Sequence, residues 1–351
     1  MSAWVPMPKA APIFPFRDAW LPAFPVLPLI LFTFLLSWLI DPAVQLGFLE
    51  IKPEHFIARP QREYVHLGDM LTYYSLAGFH SLLCLAVIAV FVHWMRRLQV
   101  RCLLSGVIFL GAILLLIVLI GIFFYWEADW QVLVQLGFKA TCRLIEAAAL
   151  PTQLTSPGCF MPGISRLTWL AWLPTFSGMA AVAFAASFAY ASACDMPLFT
   201  PSGERNSPAW REALAMRVTA LQRSVYLLSA VLVSSTITIT DFAHLPVGLL
   251  TSKDGDFAVA AAVSKYATGL STFWGALFSM TLIATFAAPA FRLFTEAYGE
   301  DDAARDSTDL RQWLDQNVFQ SVKRQFATAL SLLAPLLVGP LSSLLSSFSQ
   351  F

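Results

Sequence analysis

Charge is what this sequence has least of. Only 13% of its 351 residues are Asp, Glu, Lys or Arg, against 58% hydrophobic. Soluble domains carry about a quarter charged residues, so a chain this poor in charge cannot cover a water-facing surface. Its acids and bases balance at 22 each, and no net field draws it to nucleic acid. Cysteine is scarce as well: there are five, and none stands with histidine in a spacing that holds zinc or haem. The Walker loop, the dinucleotide glycine fingerprint, HExxH and GxSxG are all missing. No cofactor or metal is therefore expected, and no motif assigns a reaction.

What the sequence has instead is long uncharged runs. Residues 24–40, 70–95, 102–126, 167–194, 224–240 and 266–291 contain no Asp, Glu, Lys or Arg. A helix needs roughly 20 apolar residues to cross ~30 Å of hydrocarbon. Phe242 completes the short fifth run, extending that span over 224–242. The expected fold is all-α: one membrane domain over 1–351, a polytopic transmembrane helix bundle of six spans in contact with the lipid bilayer. Asp41-Pro42 follows the first span where a cleavage site would need small residues, so that span reads as an uncleaved anchor. A seventh apolar segment, 326–348, carries Leu330, Leu333, Leu337, Leu341 and Leu344 on one stripe. Pro335 and Pro340 are expected to break it into a kinked or re-entrant piece.

Lys and Arg set the orientation. The N-terminal segment and the connections 96–101, 195–223 and 292–325 carry 14 of them; 41–69, 127–166 and 241–265 carry 8. The basic turn from Arg96 to Arg101 is the sharpest element. It places the N-terminus in the cytoplasm, and the Ala- and Leu-rich composition suggests a bacterial inner membrane. Trp38, Trp94, Trp126, Trp130, Trp169 and Trp172 fall near span ends, where an indole prefers the interface. In the outer connection, Gln131, Gln135, Lys139 and Arg143 recur every fourth residue, so 127–146 reads as an amphipathic helix. Cys142 and Cys159 lie in the same connection and are disulfide candidates in an oxidising compartment.

Polar positions inside the runs are the candidates for function. His80 is the only ionisable side chain near the middle of a span, with Tyr73, Gly78, Ser81 and Cys84 as helix neighbours. Such a residue is either hydrogen-bonded to a facing helix or works in gating or proton transfer. The fifth span is rich in hydroxyls, and Ser234, Thr238 and Asp241 share one face, with His244 following. The sixth adds Ser271 and Ser279. These faces can line a polar path or hold helices together. Ser177, Ala181, Ala185 and Ala189 give the fourth span a small residue every four, a surface for close packing inside the bundle or between protomers.

Three function classes fit. The first is a channel or pore-like protein, oligomeric, conducting ions or small solutes along the hydroxyl faces of the fifth and sixth spans. The second is a non-catalytic subunit that assembles a membrane complex. The third is a membrane-embedded enzyme using Glu54, His55 and His66 of the connection 41–69.

Overall fold

The computed structural model describes residues 23–31, 56–57, 59–98, 100–126, 141, 166–194, 208–250, 257–298 and 327–338. Five long helices carry the fold: α1 (Arg59–Met95), α2 (Val100–Trp126), α3 (Arg166–Cys194), α4 (Pro208–His244) and α5 (Phe257–Tyr298). A shorter apolar helix, α6 (Ala327–Val338), follows. All five long helices contain stretches long and apolar enough to cross a membrane. The chain is a helical integral membrane bundle, and no strand occurs among the described residues beyond a single bridge pair. Of the first span only its beginning is described, where Val26 packs with Phe109, Ile113 and Tyr190. The outer helix 127–146, the cysteines Cys142 and Cys159, and the connection 299–326 lie outside the described residues, apart from Thr141.

Helix length corrects the sequence reading at one place that matters. The second span was expected to start at residue 70, with 41–69 a loop, but α1 begins at Arg59 and runs for 37 residues. At 1.5 Å per residue that is ~55 Å, well beyond the hydrocarbon. His66 and Asp69 therefore sit on a helix, and His66 is only 3% exposed. Charge in a sequence marks a membrane boundary but does not separate a solvated loop from a helix end turned inward. The same holds for α5, which extends past its uncharged run at both ends, whereas α4 starts at Pro208, where Ser207-Pro208 itself signals a helix start.

Helix α3 is the centre. It packs against α1, α2, α4 and α5, and Ala181, Ala183, Ala185, Ser187, Ala189 and Ala191 are all buried. Small side chains let neighbouring backbones approach, and dispersion contact then replaces the hydrophobic drive that lipid does not supply. Gly106 on α2 makes the same use of space: a Cβ there would lie 2.9 Å from the Ala191 Cβ. Leu71, Phe79, Leu82 and Leu85 on α1, with Val107, Leu115 and Val118 on α2, are exposed. In a membrane these faces meet lipid.

Two turns set the ends. Arg96 and Leu98 close the α1–α2 hairpin, with Leu98 N–H donating to the Met95 carbonyl at 3.0 Å. At the other end α4 stops before Pro246, and a single 3-10 turn, Val247–Leu249, returns the chain. Ile57 N–H donates to the Leu249 carbonyl at 3.1 Å, and Phe56 bridges Leu250. The start of α1, the end of α4 and the start of α5 are thereby gathered at one end around Tyr73, Phe242, Leu245 and Val263.

Helix α6 lies against α4 and α5. Pro335 was expected to break it, yet stands inside the helix. Proline has no N–H, so the carbonyl four residues back, that of Ser331, loses its helical donor. Ser229 Oγ of α4 donates to that carbonyl at 2.6 Å. Tyr226 and Thr328 hydroxyls meet at 3.0 Å, and Leu336 N–H donates to Ser279 Oγ at 3.2 Å. Gly275 faces the Pro335 carbonyl so closely that no Cβ fits. At 12 residues the described helix is ~18 Å long, too short to span by itself.

Candidate functional site

The polar residues of α1 and α4 meet along one seam. On α1, His66, Tyr73, His80 and Cys84 are buried and share a stripe at helical spacing, with Asp69 beside it. On α4, Ser234, Thr238 and Asp241 form the facing set. From Asp69 to His80 the seam covers ~17 Å of helix. It has an inner end at His80 and a mouth at Asp69 and Asp241.

At the inner end His80 is 1% exposed. Its Nδ1 lies 2.7 Å from Ser234 Oγ, and its Nε2 lies 3.4 Å from Cys84 Sγ. Helix α3 closes the third side. The Pro174 carbonyl lies beside the imidazole, and the Ser177 hydroxyl, which donates to that carbonyl at 3.1 Å, also reaches the Cys84 thiol. A Cβ on Gly178 would stand 3.3 Å from Nε2, so the absent side chain makes room for the ring. Gly78, a helix neighbour of His80, is open instead: a Cβ there would meet nothing within 4 Å.

Proton bookkeeping restricts the states of this group. Ser234 has one proton and donates it to the Val231 carbonyl at 2.8 Å. It then accepts from Nδ1–H, which leaves the Nε2 lone pair to the Cys84 thiol. If Ser234 turns its proton to Nδ1 instead, Nε2–H faces the Cys84 sulfur, with the Pro174 carbonyl nearby. Either neutral tautomer is thus accommodated without moving a helix.

The mouth is built differently. Asp69 and Asp241 are close enough for their carboxylates to repel, and Tyr73 stands beside Asp241. Asp69 lies on the turn after α4: a Cβ on Gly248 would be 2.8 Å from Asp69 Oδ2. Asp241 Oδ2, both ring nitrogens of His66, His244 Nε2 and the Tyr266 hydroxyl are buried with no hydrogen-bond partner among the described residues. His244 Nδ1 donates to the Thr240 carbonyl at 2.8 Å, so its Nε2 is a free acceptor. Buried polar atoms are normally paired, and a group of orphans on α1, α4 and α5 at one end calls for water or an ion. Lys265, near the same end of α5, is exposed and makes no hydrogen bond with Asp241 Oδ2.

Beyond Cys84 the seam turns apolar. Val87, Phe91 and Met95 follow on α1, facing Phe188 of α3 and Leu214, Leu221, Val225 and Leu228 of α4. Phe91, Trp94 and Phe188 form an aromatic knot with ring centroids 5.4 to 5.8 Å apart.

The sequence candidates fall into two groups. His80, Ser234, Thr238 and Asp241 share the seam. Ser271 and Ser279 do not join its hydrogen bonds: Ser271 Oγ donates to the Ala267 carbonyl at 2.8 Å, and Ser279 Oγ receives Leu336 N–H. Thr236, Thr238, Thr240, Thr281 and Thr285 also spend their protons on carbonyls one turn back in their own helices. Asp69 and His66 at the mouth, and Pro174, Ser177 and Gly178 around His80, join from outside the predicted polar path; His66 was expected only in the enzyme reading and Ser177 only as a packing residue. Compared with protein-family models, with curated proteins and with solved structures, the chain matches none of them.

Proposed function

We propose that this integral membrane protein conducts a small cation, with the α1–α4 seam as its path and the knot of Phe91, Trp94 and Phe188 as its closed gate. The observation that carries the reading is the seam itself, which has polar groups at both ends: Asp69 and Asp241 at the mouth, and His80 with Ser234 near the middle of the apolar stretch Tyr64–Met95. Polar groups inside a bilayer are costly and mark ion pathways. Two carboxylates at the mouth give the path a negative end, which concentrates cations and repels anions. The path of the first function class thereby moves from the hydroxyl faces of α4 and α5 to the face α4 shares with α1. The basic connections support an N-terminus inside, and hence the Asp69–Asp241 mouth outside, and the Ala- and Leu-rich composition supports a bacterial inner membrane.

The test is flux into proteoliposomes holding the purified chain, with protons, sodium, potassium, chloride and a neutral solute in parallel. Cation flux that falls when Asp241→Asn and Asp69→Asn are introduced, with no passage of chloride or neutral solute, is the expected result. Absence of any cation flux under gradients of either sign would remove this reading and leave that of a non-catalytic subunit of a membrane complex.

A further inference from the structure

We propose that the cation carried along the seam is the proton and that His80 relays it; this rests on the reading of the seam as a cation path. The inner end is where the two kinds of cargo separate. An alkali cation in a filter replaces its hydration shell with a ring of several oxygens. Around the imidazole stand the Cys84 thiol from α1, the Pro174 carbonyl and Ser177 hydroxyl from α3, and the Ser234 hydroxyl from α4. None of these groups is a carboxylate. Nor do the described residues include a group of three His, Cys, Asp or Glu side chains arranged to hold a metal ion. Room is lacking too: His80 and Cys84 are 1% and 0% exposed, and Gly178 lies against the ring.

A proton needs none of that. It needs a chain of groups that each accept on one side and release on the other, and histidine near neutral pH is the side chain suited to it. The Ser234 hydroxyl takes a proton from the mouth side and gives its own to Nδ1. The resulting imidazolium gives its Nδ1–H to Ser234 Oγ, with the Pro174 carbonyl nearby. The ring releases the proton on Nε2 toward the Cys84 side, to water admitted when the aromatic knot opens. The ring is neutral again, in the other tautomer, and rotation about its Cβ–Cγ bond while the knot is open turns an unprotonated nitrogen back to Ser234 and completes the cycle. One proton enters, one leaves, and no other reactant is consumed.

The experiment follows internal pH with an entrapped dye in proteoliposomes carrying the full chain, under a potassium diffusion potential, with sodium and potassium uptake measured alongside. Wild-type liposomes are expected to acidify, more slowly in D2O, without sodium uptake. His80→Gln keeps a donor for Ser234 but cannot exchange protons, and should lower proton flux at least about tenfold. Ser234→Ala, which leaves the ring in place, serves as the second variant and should also lower it. Sodium or potassium flux without acidification would overturn the proton assignment and leave the cation path standing. Proton flux unchanged in both His80→Gln and Ser234→Ala would remove His80 as the relay. No flux of any cation would overturn both.

Discussion

Replacing His80 by leucine separates a working histidine from a structural one. The His80–Ser234 contact, as an interhelical hydrogen bond in a membrane, contributes about 0.6–1.7 kcal/mol. Against it stands the desolvation of the imidazole, about 1–3 kcal/mol. His80→Leu removes both terms and leaves no orphan. Ser234 keeps the Val231 carbonyl, Ser177 keeps the Pro174 carbonyl, and the Cys84 thiol keeps Ser177. Leucine fills a similar volume, so the expected change in stability is within about 1 kcal/mol of zero. His80→Ala instead leaves a hole in a site that is 1% exposed and should cost about 2–3 kcal/mol. Reversible unfolding in mixed micelles reads both variants, and flux measurements on the same preparations read function. The reasoning is refuted if His80→Leu destabilises as much as His80→Ala, for then the imidazole holds the helices together and its place in the seam needs no transport to explain it.

Three further outcomes follow from the packing. Gly106→Leu drives a side chain onto Ala191 across α2 and α3 and should cost about 1–3 kcal/mol, whereas Gly111→Ala meets nothing within 4 Å and should be neutral or gain up to ~1 kcal/mol; thermal unfolding compares them. Gly275→Val collides with the Pro335 backbone and should displace α6, at a cost of about 1–3 kcal/mol read by thermal unfolding. Ser229→Ala should cost about 1 kcal/mol because the Ser331 carbonyl loses its donor, and most of that cost should vanish in a Pro335→Ala background, where the helix supplies an N–H again; unfolding of the four chains gives the coupling.

The spans were legible because hydrocarbon imposes one rule that needs no partner: about 20 residues without charge. His80 and Ser234 were legible for the same reason, as polar exceptions to it. The mouth was not. His66 and Asp69 precede the uncharged run and so looked like part of a loop, although His66, Tyr73, His80 and Cys84 sit at offsets of 7, 14 and 18, a single helical stripe. Continuing that stripe backward past the charges would have found it. The hydroxyls of α5 misled in the opposite direction. A serine or threonine in a helix can bond the carbonyl one turn back, as Thr272, Thr281 and Thr285 do. A row of hydroxyls therefore says little about a polar path unless a side chain that cannot bond its own helix stands opposite.

That condition points to what prolines contribute to this bundle. A transmembrane helix satisfies its own backbone and so offers a neighbour little to bond. One proline inside these helices interrupts that self-sufficiency: Pro335 strips the Ser331 carbonyl of its donor, and Ser229 crosses from α4 to replace it. A hydroxyl that would otherwise fold back on its own helix thereby gains a backbone oxygen of another. On α3 the Pro174 carbonyl lies beside His80 and accepts the Ser177 hydroxyl at 3.1 Å. The bundle thus brings polarity to mid-membrane without burying a further charge. That is why an imidazole able to take and lose a proton can sit at the centre of the seam while both carboxylates stay at its mouth.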